Sequence, residues 1–445
     1  MKTERQIGNR AGTSKAALSA SDSRANRLLR AHAPRLIYAA AGLMFLWLFL
    51  VIPRTVWGDT YKGEELLRQM SLAPWKVGPF RIRPEIILSD LGYDSNIYSQ
   101  PEAVGDYRLT VGPSFTGYLA IRKKIVLKLY ESPRYVYFYE TTRERAWNNY
   151  FRADANILLN KMFLSAGAAW TDARERWNYE IDLRPRRKQA DVQASALLQM
   201  GKKTGFSVDI SASRIRYENL EFEHFPIAQE LDRDEFRAAG GFYQQMTPRI
   251  RAFVQLEYGR FDFRNPLNPR DAETRTAYAG FEFSPGGRVN GRVRLGYKTL
   301  YPLNGTKPDF QGLVGDSSVS IDIARPIRLR GSYRRDVQFS LWINARFFIE
   351  NMAGGGLSLY IFKHKVRLDY DYNLVRNAYR PASGEAGAGD FSMADKFTMQ
   401  SAGLYFRLKK NIGLGITAGR WDRKTDLIGW NYGWRSKRQF ANLNL

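Results

Sequence analysis

From Phe80 to the end of the chain, apolar and polar residues alternate with a period of two, in runs of about ten residues or more, which is the pattern of a strand with two differently solvated faces. Between Leu109 and Arg122 the apolar set is Leu109, Val111, Pro113, Phe115, Leu119 and Ile121, with Thr110, Ser114, Thr116 and Arg122 between them. Ala277, Ala279, Phe281 and Phe283 oppose Tyr278 and Glu282 in the same way, and Val319, Ile321 and Ile323 oppose Ser318, Ser320 and Asp322. Short connections rich in turn-forming residues lie near Arg122, Asn160, Gly201, Thr247, Ser284, Arg325, Lys363 and Lys409. Longer polar connections lie near 89–104, 141–147, 179–187, 220–233, 264–273, 303–312, 342–346, 378–396 and 424–431. Eight short and nine long connections join eighteen strands. Alternating short and long links are the habit of a transmembrane antiparallel β-barrel, with tight turns on the periplasmic side and longer loops outside. The fold class expected is therefore all-β, with sixteen strands as the alternative count.

The end of the chain fits closure. Gly433–Leu445 sets Ala441, Leu443 and Leu445 on one face and Asn442 and Asn444 on the other. Pairing with Phe80–Leu88 is expected to remove the open edge, because unpaired backbone groups are costly in lipid. A large soluble β-sandwich or propeller is the competing architecture, but it seldom strings together so many long strands without a break.

Composition narrows the class further. The mean hydropathy is −0.43, and beyond residue 58 no run approaches the ~18 apolar residues of a membrane helix. Aromatic residues make up 14% of the chain, a supply that the two interfacial girdles of a membrane barrel require. Cysteine is absent, which removes disulfides, thiolate catalysis and Cys-ligated metals together.

The first 35 residues are basic and lead into an apolar run, Leu36–Ile52, followed by Val56 and Gly58 before Asp59. That order reads as an export signal over residues 1–58, with an uncleaved anchor helix or a misassigned start as alternatives. Residues 59–76 form a short periplasmic segment in this reading, and 77–445 the barrel. Within the segment, Glu64, Glu65, Leu66, Leu67, Arg68, Gln69 and Met70 make an amphipathic stretch, suited either to docking a partner or to tethering the barrel's start.

The formal charge is +24, and residues 1–58 carry nine of the Lys/Arg and two of the Asp/Glu, so +17 stays on the rest. Such a surplus attracts polyanions. Nucleic acid is disfavoured, since an exported barrel does not meet it and no binding module is visible. Outer-membrane lipids and lipopolysaccharide phosphates account for basic loops but not for basic residues facing a channel. If apolar residues face lipid, the alternate positions line the lumen: Arg81, Arg83 and Glu85 on the first strand; Asn290, Arg292, Arg294 and Lys298; Arg328, Arg330, Arg334 and Asp336; and Arg367, Asp369 and Asp371. Basic rings favour anions in a pore, and the expected solute is an anionic, extended one. Pairing of these charges with neighbouring carboxylates, merely stiffening the wall, is the alternative.

Catalysis is not indicated. The three histidines are His32, His224 and His364, and none shares a strand face with a nucleophile or carboxylate pair. No metal or cofactor site is expected.

The stretch Phe80–Ile86 followed by Gly92, Tyr93, Asp94, Ser95, Asn96, Ile97 and Tyr98 resembles the opening of the outer-membrane β-barrels encoded with exopolysaccharide and capsule synthesis genes, where a first strand leads into a Gly-Tyr-Asp-Ser-Asn-aromatic motif. Here Ile97 intervenes before the aromatic residue. The likeness is sharp over about twenty residues and architectural elsewhere. It implies export of an anionic polysaccharide, with a periplasmic polysaccharide-export protein and an inner-membrane copolymerase as partners. Asp94, Ser95 and Asn96 also have a plainer role in loop hydrogen bonding. Three readings follow: a polysaccharide export pore, a general or anion-selective diffusion porin, and a structural or adhesive barrel.

Overall fold

A computed structural model describes residues 61–122, 124–176, 180, 183–201, 203–222, 225–265, 270–283, 287–303, 309–340, 346–380, 392–409, 412–428 and 433–444. The expected export signal, His32 and His224 lie outside them, as does the body of the 378–396 connection.

Eighteen barrel strands follow one another: β1 (Phe80–Asp94), β2 (Asp106–Ile121), β3 (Ile125–Glu131 with Arg134–Phe138), β4 (Ala146–Leu159), β5 (Met162–Arg174) and β6 (Arg186–Gln199). Then come β7 (Thr204–Tyr217), β8 (Arg233–Thr247), β9 (Ile250–Phe263), β10 (Ala272–Phe283), β11 (Val289–Pro302) and β12 (Phe310–Ala324). The last six are β13 (Ile327–Phe339), β14 (Phe347–Ile361), β15 (Val366–Arg380), β16 (Ser392–Lys409), β17 (Ile412–Ile428) and β18 (Gly433–Asn444). Each pairs antiparallel with the next, and β18 pairs with β1, so the sheet closes on itself. The break in β3 falls at Pro133, which has no N–H to give to a ladder.

The alternation maps directly onto this wall. Ile86, Leu256, Leu295 and Leu313 stand outward and are 81%, 69%, 59% and 57% exposed, a surface that water would not tolerate and lipid requires. The closing register differs from the one expected. β18 meets β1 from Leu91 opposite Leu443 to Asp94 opposite Phe440, not over Phe80–Leu88. A short strand, Trp75–Val77, folds back onto Phe80–Ile82 instead. Closing a tilted sheet staggers its two ends by a fixed shear, which carries the periplasmic half of β1 past the end of β18.

The amphipathic stretch becomes helix α1, Tyr61–Ser71. Leu66 and Ala73 pack with Tyr118 and Val126, with Leu67, Met70 and Leu158 beside them. Tyr118 lies opposite Arg81, on the inward face. The helix therefore seats its apolar side on the inner wall at the periplasmic mouth.

Candidate functional site

The inner wall is a lattice of ion pairs running from β9 to β15. Arg294 sits between Glu257 at 2.6 Å and Asp316 at 2.5 Å, with its guanidinium 4.1 Å above the Tyr278 ring. Arg292 lies 3.7 Å from Glu282, donates to Gln255 Oε1 at 2.8 Å, and stacks 4.3 Å over Phe253. Lys298 pairs with Asp336, and Arg334 with Glu350 at 3.4 Å. Nearer the periplasm, Arg328 grips Asp322 at 2.6 Å, Arg330 reaches Asp371 at 2.7 Å and Asp369 at 3.4 Å, and Arg367 holds Asp369 at 2.8 Å. Asn290 contributes its backbone carbonyl to Ser320 Oγ. On β1, Arg83 pairs with Glu85 at 2.7 Å; among the described residues Arg81 has no carboxylate partner.

Ten of these fourteen positions form two groups rather than one ring, and Arg81, Arg83 and Glu85 on β1 belong to neither. Arg292, Arg294, Lys298, Arg334 and Asp336 line one cavity of about 1400 Å³. Arg328, Arg330, Arg367, Asp369 and Asp371 lie below it, toward the short turns. The cavity also takes in Arg233, Glu235 and Arg237 of β8 and Arg438 of β18, which the sequence reading did not select. Glu257, Asp316 and Glu350 were missed as well, although the same period of two places them inward.

What narrows the bore is the outer end of the β13–β14 hairpin. The β12–β13 ladder stops at Gly315 opposite Arg335, although β12 continues to Phe310 and β13 to Phe339. The hairpin tip thus leaves the wall and folds over the lumen. Phe339 meets Phe261 and Phe263 of β9 at 5.0 and 5.3 Å between ring centres. Ala272, Tyr278, Leu300, Phe310, Val314, Phe347 and Ile349 form a core there, with Val337 and Phe339 packed against it. The opposite face of the tip, including Asp336, Gln338 and Glu350, looks onto the cavity.

Other outer segments lock this tip. Arg270 of the β9–β10 connection donates Nε to the Ser340 carbonyl at 2.6 Å and pairs with Glu230 of a short helix, α2 (Ile227–Leu231). Ser340 Oγ donates to Glu180 Oε1 at 2.7 Å. Glu180 belongs to the connection between β5 and β6, strands that lie across the barrel from β13, so its bond to Ser340 reaches across the mouth. Glu180 and Ser340 are 5% and 0% exposed, which marks a packed closure. Burial holds the Arg184 guanidinium in the same segment below its usual range, and likewise raises the Asp232 carboxyl beside α2.

The first-strand motif lies at the seam. Asp94 receives Nε and Nη2 of Arg438, both bonds within 2.9 Å. Ser95 Oγ accepts the Gln439 amide at 2.7 Å, and Asn96 donates to the carbonyls of Gln100 at 2.7 Å and Lys437 at 3.1 Å. Gly92 faces the β18 backbone so closely that an added Cβ would lie 1.8 Å from the Ala441 carbonyl oxygen. Tyr93 stacks at 5.0 Å on Tyr107, on the outer face. Where the expected outer connection was to begin at residue 89, β1 in fact continues through Asp94.

Residues 184–436, more than half of the chain, match the family model described as "Putative beta-barrel porin 2". The chain belongs to that porin family. As a member of this beta-barrel porin family it is a protein of the bacterial outer membrane. No curated protein matches it. Among solved structures, Pseudomonas aeruginosa OpdL is 11% identical, with 82% of this chain and 98% of that one covered and a TM-score of 0.46. Pseudomonas aeruginosa OpdK with vanillate is 12% identical over 82% and 98% of the two chains, with a TM-score of 0.45. The siderophore receptor PirA from Pseudomonas aeruginosa is 8% identical over 81% and 79%, with a TM-score of 0.39. Likeness at this distance transfers no solute or mechanism to this porin.

Proposed function

We propose that this porin is a narrow diffusion pore for small, preferentially anionic solutes. The observation that carries the reading is the polar cavity lying under a packed outer closure. Eight Arg/Lys and six Asp/Glu line the cavity, a small cationic surplus of the kind that biases a pore toward anions. Fixed guanidinium donors, already oriented by their carboxylates, suit a carboxylate or phosphate passing along the wall.

A closed round sheet of eighteen strands has a backbone diameter of about 35 Å, given strands about 4.8 Å apart and tilted about 40°. The tip of β13–β14, the segment carrying Glu180 and α1 occupy much of that bore. A small solute needs only the spaces they leave, whereas a continuous polymer would have to displace the core around Phe339 and Phe347. Export of an anionic polysaccharide, with a periplasmic export protein and an inner-membrane copolymerase, draws its support from the first-strand motif. Asp94, Ser95 and Asn96 have a sufficient role in closing the seam, so we favour the diffusion pore.

Planar-bilayer conductance tests the choice. Small, steady, anion-preferring channels that purified acidic polysaccharide leaves unaltered are expected. Block by the polymer, or loss of surface polysaccharide when the gene is deleted, would instead support export.

A further inference from the structure

The outward face of β15–β18 carries charge in an arrangement that the pore does not use. Arg376, Lys396, Lys424 and Arg435 stand directly opposite one another in one row across four strands. Like charges in direct cross-strand opposition destabilise a sheet. Two carboxylates are shared among the cations there: Asp426 lies 3.0 Å from Lys396 and 2.9 Å from Lys424, and Asp422 lies 2.5 Å from Arg435 and 3.6 Å from Arg420. Lys437, opposite Asp422, adds a further positive charge. The Lys424 and Arg435 side chains are 63% and 59% exposed, and Lys396, Arg420, Lys424 and Arg435 line a pocket of about 380 Å³.

A second hollow begins where this pocket ends. Six residues further along each strand toward the periplasm, Tyr370, Ala402, Ala418 and Ala441 form another cross-strand row, which Tyr93 of β1 completes. Three methyl groups between two tyrosines make a groove of about 560 Å³, and it shares Gln400 and Arg420 with the cationic pocket. The two rows are about 20 Å apart along the strands, so a molecule filling both sites needs an anionic head and an apolar tail.

We propose that this face binds a phosphorylated glycolipid of the outer leaflet, the lipid A part of lipopolysaccharide. Its phosphates lie among Lys396, Arg420, Lys424 and Arg435, and an acyl chain runs along the groove between Tyr93 and Tyr370. A head with more than one phosphate answers a row of four cations better than a single phosphodiester does. The groove crosses the β18–β1 seam, where Tyr93 lies opposite Ala441, so the bound lipid bridges the shortest ladder in the closed wall and stabilises closure.

Thermal unfolding of the detergent-purified full chain, titrated with lipid, tests this. Bisphosphorylated lipid A is expected to raise the midpoint saturably, and its dephosphorylated form with the same acyl chains to do far less. In K396Q/K424Q/R435Q the apparent affinity should fall about a hundredfold, since each basic residue near an anionic head group contributes roughly a factor of five. Ala418→Leu keeps every charge but fills the groove, and should weaken lipid A binding while leaving any response to inorganic pyrophosphate unchanged. Equal shifts from both forms of lipid A overturn the proposal, as does wild-type affinity in either variant. A pyrophosphate effect as large as that of lipid A overturns it too, by reducing the site to an anion pocket without a tail.

Discussion

Replacing Arg328, Arg330 and Arg334 together by Gln tests whether wall charge sets the preference of this pore. All three face the lumen from β13, and their side chains are 40%, 33% and 47% exposed. Half-exposed pairs of this kind contribute at most about 1 kcal/mol each, so the barrel is expected to stay folded. What changes is the field, because Asp322, Asp371 and Glu350 lose their partners while Asp369 keeps Arg367. One charge about 10 Å from a permeating ion is worth about 0.4 kcal/mol in water and about 0.15 kcal/mol after screening at 0.1 M salt. Three charges give roughly 0.5 kcal/mol, with opposite sign for anion and cation, so the permeability ratio should shift about fivefold toward cations. Reversal potentials under a salt gradient measure this directly. At 1 M salt the Debye length shrinks to about 3 Å, and the difference should largely vanish. An unchanged ratio at 0.1 M, or a shift that survives 1 M salt, refutes the reasoning.

Two further outcomes follow from the closure of the barrel. Arg438→Ala strands the fully buried Asp94 carboxylate at a cost of about 3–5 kcal/mol. It should lower the temperature at which the folded band is lost in heat-modifiability gels, whereas Arg435→Ala on the outer surface should lower it little. Glu180→Ala combined with Ser340→Ala removes the contact that pins the β5–β6 segment to the hairpin tip, and should raise single-channel conductance and the sugar size admitted in liposome swelling. Conductance identical to wild type would show that this segment does not limit flow.

The strands were legible because lipid and water are opposite solvents on the two faces of one wall, which leaves a period of two in nearly every strand. Turn chemistry then located the eight short connections between the described strands, including those at Asn160 and Thr247. Register at the seam was not legible, because shear is a property of the whole closed sheet and no local residue encodes it. The folded-in hairpin tip was also missed. A trace of it exists in Phe347-Phe348-Ile349, three consecutive apolar residues where alternation fails, as happens when both faces of a strand are buried. Arg294 was found by periodicity, yet its partners Glu257 and Asp316 come from strands 37 residues back and 22 residues on. Only the register turns those separations into contacts.

In the proposed diffusion pore, pairing in the lumen would do more than stiffen the wall. A row of bare arginines in a narrow bore would hold an anion tightly, and conduction requires binding favourable enough for entry yet weak enough for exit. Arg294, fixed between two carboxylates and laid on Tyr278, keeps its charge while most of its field is cancelled at a distance. A solute in contact with the wall still meets oriented donors and can exchange water for them group by group. In the diffusion pore proposed above, the sequence of such pairs from β9 to β15 would offer many weak sites instead of one strong one, and size discrimination would fall to the outer closure built around Glu180, Arg270 and Phe339. On that proposal wall and closure would divide the work: the ion-pair lattice is spread over seven strands, while the narrowing gathers where Glu180 and Arg270 meet the tip of one hairpin.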